Sequence, residues 1–483
     1  MLFIVCAMIL AMLELVSYSR IRTNFPAGET IGGVPVAGMD RQSAGLLLSQ
    51  TYGMPIEIHY GSAVIQMRPT VASFKLDLDT MLSAADIQRV NQPFWSGFWN
   101  YLWGQHLTGT QIPLRATYDE QRLRDFLKNE ISARYDLPPT SAEPIPGTAN
   151  FKPGQPGTTL DIDKAVPLIW NALKSPTNRV VTIPYDSSSA PRPTLDNLQI
   201  LLKQIIDISQ FKGIVELYMD DLQTSQTIHF AHQAGSTTDI KTGIAFSGWS
   251  TIKIPVMVSA FRRVSTMPPD STALVLMQKM IEVSSNESTD LLAQTVIDKN
   301  LGPVMVTEDM QTLGLMNTFW GGYFYNGAPL LKKFVTPANS RTDINTGPDP
   351  YDQTTPKDLG LLLGDIYACA TYNGGALIAA FPGQITQDKC KLMIDYLSHN
   401  DINQLIQAGL PAGTVIAHKH GWAVETDGVI HTMGDAALVY SPGGNFILVI
   451  FVHDNQQVLF DPADEMVAEL ARAVYNYFNV PAQ

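Results

Sequence analysis

Three short polar clusters in the C-terminal part of the chain have residue types and spacings that can do chemistry. Ser250 and Lys253, in AFSGWSTIKIPVMVSAFRR, stand three residues apart at the start of an apolar helical pattern and share one helical face. A serine hydroxyl is a weak nucleophile until a base takes its proton, and a lysine can do so where burial or nearby positive charge favours its neutral form. Ser284-Ser285-Asn286 lies between two helical segments, ALVLMQKMIEV and ESTDLLAQTVI. A hydroxyl there can relay a proton between the lysine and a leaving nitrogen, and the Asn286 amide can bind a substrate carbonyl; the plainer reading is a helix cap in a polar turn. Lys419-His420-Gly421-Trp422 falls on an edge-strand pattern before a turn at Asp427 and Gly428. Lys419 offers positive charge to a substrate carboxylate, Gly421 lets a substrate backbone approach, and the Trp422 N–H can form an oxyanion hole with that of Ser250.

The elements that must position these clusters begin near Leu195. LDNLQILLKQIID repeats Leu198, Leu201, Leu202 and Ile205 at helical spacing. IVELYMDD and TSQTIHFA alternate as a hairpin with its turn at Leu222 to Ser225, NFILVIFVHD reads as a buried strand, and DEMVAELARAVYNYF closes the chain as a helix. The expected fold class is therefore α+β, an α-β sandwich: a C-terminal antiparallel sheet flanked by helices, with a helical subdomain inserted. His229 and His232 read as exposed loop residues at the end of the hairpin. His418 and His420 alternate on their strand and face one side with Lys419 on the other, and without a third ligand they imply no metal site.

In order and context, SxxK, SxN and KxG match the three-motif signature of class A β-lactamases and penicillin-binding proteins. From Leu195 to the C-terminus the chain resembles that family, including TTPKDLGLLL at Thr354 to Leu363 and GDAALV at Gly434 to Val439. The resemblance implies that Ser250 is acylated, with Lys253 as its general base and Ser284 as proton shuttle. Asn286 would contact substrate, and Lys419 would lend charge near Ser284 and the substrate carboxylate. His420 stands where the family has Thr or Ser, and an imidazole N–H would replace that hydroxyl. The implied substrates are β-lactams or D-Ala-D-Ala-type peptidoglycan stem peptides, with no metal or organic cofactor. One departure matters: between Leu313 and Pro356 there is no glutamate to activate a deacylating water, only Asp343, Asp349 and Asp352. Slow hydrolysis of the acyl-enzyme, as in a D,D-carboxypeptidase-like enzyme, is the expectation. The alternative is a wall-binding pseudoenzyme of the same fold without turnover.

The chain of 483 residues, 45% apolar and 16% charged, has material for two folded domains. A formal charge of -13 without a basic stripe argues against nucleic acid as a partner. Residues 24–188 read as a smaller N-terminal α+β domain, with a helix after Asp40, a hairpin around Gly61 and Ser62, and FKPGQPGTTLDIDKAVPLI as turn, strand and helix. A linker is expected over Asp186 to Thr194, and residues 195–483 form the second domain. The first domain resembles the peptidoglycan-binding domain of exported bacterial proteins; a plain spacer is the equal alternative. Phe94, Trp95, Phe98, Trp99, Tyr101 and Trp103 suggest core packing around a loop, ahead of a sugar-stacking platform or an interfacial membrane belt.

Residues 1–20 read as a membrane-targeting segment: Leu2 to Val16 is apolar apart from Glu14, short for a span of about 20 residues, and Arg20 and Arg22 follow it. Those arginines favour the opposite orientation to that of an ordinary signal peptide, and the true start is expected upstream. A buried first helix is the alternative. The expected location is extracytoplasmic, membrane-anchored or secreted, in contact with the cell wall. Cys369 and Cys390 are equally consistent with a disulfide and with a buried free pair.

Overall fold

The computed structural model describes residues 2–480 other than 106–107, 239, 265–270 and 401. The chain divides into two units, Met1–Thr140 with Gln155–Ala190, and Ser141–Gly154 with Pro191–Gln483. Residues 141–154, expected in the first domain, thus pack with the second. They form a small hairpin, Glu143–Pro144 with Phe151–Lys152, whose Ala142, Ala149 and Phe151 join the second unit's core. The expected linker is also shorter, because Tyr185–Ser188 pairs as a strand with Gly157–Leu160.

The first unit begins with helix α1, Leu2–Ile21, which runs through the polar residues after Val16. Its stretch Phe3–Ile21 is 19 residues, long and apolar enough to cross a membrane, and most of its side chains are exposed. Exposure removes the buried-helix alternative. Asp40 caps the next helix by accepting from Ser43 N at 2.7 Å, and Ile56–Tyr60 pairs with Ala63–Met67 in the expected hairpin. The aromatic group forms helix α2, Phe94–Leu102, where the sequence suggested core packing around a loop. Phe98 is buried, but Trp95, Trp99 and Trp103 are 64%, 60% and 78% exposed. Residues at spacing four share one helical stripe, and this stripe faces outward.

The second unit is built on a five-stranded antiparallel sheet. Helix α3, Leu195–Ser209, starts at the Thr194 cap and leads into β1, Ile214–Asp221, and β2, Gln226–Gln233. A helical insert follows, containing α4, Lys253–Arg263, α5, Asn286–Leu292, α6, Pro356–Tyr372, and α7, Gln387–Ser398. The chain returns as β3, Val415–Trp422, β4, Thr432–Tyr440, and β5, Phe446–His453, and closes with α8, Phe460–Phe478. The spatial order is β2-β1-β5-β4-β3, which places the KxG strand at an edge.

Strand alternation explains the layers. On β5, Phe446, Leu448, Ile450 and Val452 pack with α3 and α8, whereas Ile447, Val449 and Phe451 pack with α4, α6 and α7. Both faces are covered, so the whole strand is apolar. The expected α+β sandwich is the observed architecture. Two histidines differ from expectation. His229 and His232 lie on β2 rather than in a loop, His229 half-buried at 2.8 Å from Glu216 and His232 buried at 2.9 Å from Asp207. Cys369 and Cys390 form a disulfide joining α6 to α7, and Cys6 is free and exposed.

Candidate active site

Ser250 sits in a 3₁₀ turn, Trp249–Ile252, that runs directly into α4. Trp249 has φ +46°, a left-handed conformation that a bulky residue adopts only where its surroundings hold it. The hold comes from Asp352: its Oδ1 accepts from Trp249 N at 2.6 Å, and its backbone oxygen accepts from Gly248 N at 3.2 Å. Asp352 belongs to a short strand, Asp352–Thr354, paired with Phe246–Ser247 just before the turn. In the sequence Asp352 is only one of three carboxylates between Leu313 and Pro356; its grip on the Ser250 turn depends on a contact more than a hundred residues away.

Lys253 is wholly buried and brings the first two clusters together. Its Nζ lies 2.8 Å from Ser250 Oγ, 3.1 Å from Ser284 Oγ, 2.7 Å from Ser284 O and 2.7 Å from Asn286 Oδ1. The geometry suits an amine that exchanges a proton with either hydroxyl. Burial, reinforced by the charge of Lys419 and opposed by Asp352 and Asp290, lowers the Lys253 ammonium to about 7, so both protonation states are populated at neutral pH.

The SxN turn works as a cap and as a site at once. Ser285 caps α5 by accepting from Ser288 N at 3.1 Å, while its neighbours Ser284 and Asn286 reach Lys253. Ser284 has φ +56°, a second left-handed residue beside the lysine. Within α5, Asp290 accepts from Phe324 N and Tyr325 N, each at 2.9 Å, and so ties the loop carrying Tyr323 to Tyr325 to the helix that carries Asn286. The Phe324 ring lies 5.4 Å from Lys253 Nζ. The motifs did not reveal Asp290, Phe324 or Tyr325; their only sequence signal is the position of Asp290 one helical turn after Asn286.

The KxG strand contributes unevenly. Gly421 abuts the nucleophile turn so closely that a Cβ there would lie 2.8 Å from both Ser250 N and Thr251 N. The side chain has to be absent for β3 to touch the turn. Lys419 is fully buried, and burial lowers its ammonium to about 8. Among the described residues its Nζ donates to His420 O at 3.2 Å and makes no hydrogen bond to Ser284, so its influence on that corner is electrostatic.

His420 falls on the other strand face from Lys419. Asn400 Nδ2 donates to His418 O at 3.0 Å, which orients the amide, and the same nitrogen lies 3.2 Å from His420 Nδ1. His420 Nδ1 is therefore an acceptor and the ring is neutral, in keeping with burial and Lys419 lowering it to about 3. Its ring packs on Trp422 at 4.7 Å. His418 is engaged with Asp435 at 3.0 Å and Asn400 O at 2.6 Å. Among the described residues no group of three His, Cys, Asp or Glu side chains is arranged to hold a metal ion.

A cleft of about 360 Å³ opens beside Ser250. Ser250, Asn286 and Trp422 line it, with Trp249, Tyr323 to Ala328, Asp349, Tyr351, Asp352 and Ala423. Lys253 and Lys419 are buried behind these residues, whereas Ser284 is partly exposed. Burial, with Asp349 beside it, raises Asp352 to about 8, and burial also raises Asp349. Asp343 lies outside this group, ion-paired with Arg341 and lowered to about 2.

Residues 264–478 match the family model described as the Beta-lactamase enzyme family. The matched stretch contains Ser284, Asn286 and Lys419 and begins after Ser250 and Lys253. Over that stretch the second unit is a β-lactamase-like domain. Among solved structures the chain is similar to PBP-A at 21% identity, covering 60% of this chain and 99% of that one with a TM-score of 0.41. It is similar to an ancestral class A β-lactamase of Gram-negative bacteria at 19% identity, with 57% and 98% covered and a TM-score of 0.40. A β-lactamase from Desulfarculus baarsii aligns at 17% identity, with 59% and 98% covered and a TM-score of 0.41. None of the curated proteins compared with the chain matches it.

Proposed function

We propose that this protein is an extracytoplasmic serine acyl hydrolase that forms an ester on Ser250 with β-lactams and with D-Ala-D-Ala-type stem peptides of peptidoglycan. The observation that carries the reading is the contact of Lys253 Nζ with Ser250 Oγ, Ser284 Oγ and Asn286 Oδ1, at 2.8, 3.1 and 2.7 Å. In its neutral form Lys253 accepts the Ser250 proton as Oγ attacks the carbonyl carbon. The oxyanion is met by the backbone N–H groups of Ser250 and Trp422. The proton then passes from Lys253 through the Ser284 hydroxyl to the leaving nitrogen as the C–N bond breaks, leaving the Ser250 ester. Lys419 supplies the positive potential that draws a substrate carboxylate, and Asn286 is in position to orient the substrate amide.

Deacylation is the slow step. The carboxylates lining the cleft are Asp349 and Asp352, and Asp352, raised to about 8 and hydrogen-bonded to Trp249 N, is largely protonated at neutral pH. A protonated carboxyl does not take a proton from water. That leaves Asp349, itself raised by burial, as the other lining carboxylate, and with no glutamate between Leu313 and Pro356 this favours a D,D-carboxypeptidase-like enzyme over an efficient lactamase.

The Cys369–Cys390 disulfide supports an oxidising compartment, and α1 supports a membrane tether. The first unit then serves as a spacer or wall-binding module.

Mixing the enzyme with a chromogenic cephalosporin tests the whole reading. A burst of one product per active site followed by a slow steady rate is expected. Rapid linear turnover without a burst would contradict slow deacylation, and no reaction at all would leave a non-catalytic wall binder.

A further inference from the structure

The geometry points to α2 as a membrane-seated helix beside the end of α1, with Trp95, Trp99 and Trp103 running from the headgroup region into the outer acyl layer of the bilayer that α1 crosses. The inference rests on reading α1 as a membrane helix. Contacts along α1 fix the depth of α2. Arg22 donates to Gln92 O at 2.8 Å and lies 5.2 Å from the Phe94 ring. Tyr18 packs on Phe94, Phe98 and Tyr101 at 5.4, 5.6 and 5.4 Å, and Tyr101 donates to Glu14 at 3.0 Å. As α1 is followed back from Arg22 to Glu14, α2 advances from Phe94 to Tyr101, so the two helices run antiparallel over the last turns of α1. Eight residues of helix cover about 12 Å.

The contact is close because Gly97 carries no side chain: a Cβ there would lie 2.1 Å from Tyr18 Oη. Glu14, the acidic interruption in the apolar stretch, thereby receives a hydroxyl donor from α2.

A helix held against the end of a membrane span must share its depth. On the side away from Tyr18, α2 presents three indoles, each more than half exposed, with Leu102 beside them at 40%. In water this stripe would be a cluster of unburied rings. At the membrane interface an indole buries its apolar body and keeps its N–H hydrated, which is why tryptophan concentrates there. A glycan strand could also stack on such rings, but the helix that α2 packs against, α1, itself exposes Leu10, Met12, Leu13 and Val16, apolar side chains that a glycan would not cover.

Full-length protein reconstituted in phosphatidylcholine and phosphatidylglycerol vesicles provides the test. Flotation first establishes insertion, and a chain that does not float removes the α1 reading together with this proposal. In floated vesicles, tryptophan emission is read with nitroxide lipids labelled either near the headgroup or near the acyl terminus. The headgroup label is expected to quench more than the deep one. That excess should be no larger than the share of emission carried by three of the chain's seven tryptophans, and it should vanish in a Trp95→Ser, Trp99→Ser, Trp103→Ser variant. Equal quenching by both labels in the floated wild-type protein would overturn the proposal without touching α1. So would an emission change on adding soluble glycan strands, lost in the triple variant, with none from lipid. The wild-type depth contrast decides the matter even where the variant folds poorly.

Discussion

If Lys253 is the base proposed for Ser250, its titration beside the Lys419 cation sets how the acylation rate depends on pH. Lys253 is lowered to about 7 by burial and by Lys419, so the fraction able to accept the Ser250 proton rises as pH rises through 7. Lys419, lowered to about 8, loses the charge that attracts a substrate carboxylate as pH rises further. The acylation rate should therefore trace a bell with its limbs near those two values, measured by stopped-flow labelling with a fluorescent penicillin; a flat profile would mean that Lys253 is not the base. Replacing it, Lys253→Ala, should slow acylation by about 10²- to 10⁴-fold, the usual contribution of a positioned base. Ser250, Lys253, Ser284 and Asn286 were legible in the sequence because helical spacing and motif order place them. Asp352 and Asp290 were not: each acts on backbone N–H groups brought near by the fold, and no local spacing encodes such a contact. His420 illustrates the same limit: alternation set it on the face away from Lys419, but its partner there, Asn400, is brought near only by the fold.

At the scale of elements, the site depends on how tightly β3 meets the nucleophile turn and how firmly α6 and α7 are held. Gly421→Ala would put a methyl group against the backbone of Ser250 and Thr251, where neither neighbour is a flexible side chain. Overpacking of this kind costs about 1–3 kcal/mol, and the displaced turn should also slow acylation; a variant with wild-type acylation would show that the turn does not need the contact. The Cys369–Cys390 link closes a loop with a sequence separation of 21. On the loop-entropy account, Cys390→Ser should cost about 3 kcal/mol, seen as a lower denaturant midpoint for the second unit. The strands β1, β2, β3 and β5 and the helices α3 and α8 could be read from the sequence pattern. The exposure of the α2 tryptophans could not, because period-four spacing locates a stripe on a helix without saying which side meets a neighbour.

Across the whole molecule, the sequence announced two domains and an apolar leader. It could not announce that residues 141–154 leave the first unit to pair with the second, because their few apolar residues fit either core. The account expects α1 to be the anchor. Deleting residues 2–17, which keeps Tyr18 against α2, should release the protein from carbonate-washed membranes while leaving penicillin labelling at its full rate. Retention of the shortened chain would show that another surface suffices to hold it. Acylation at Ser250 underlies the expectations for Lys253, Gly421 and penicillin labelling, and locating the adduct tests it most directly. After incubation with a labelled penicillin, peptide mass spectrometry should find one equivalent of label on the peptide containing Ser250 and none in the Ser250→Ala protein. Label on another residue, or label that persists in Ser250→Ala, would contradict the account.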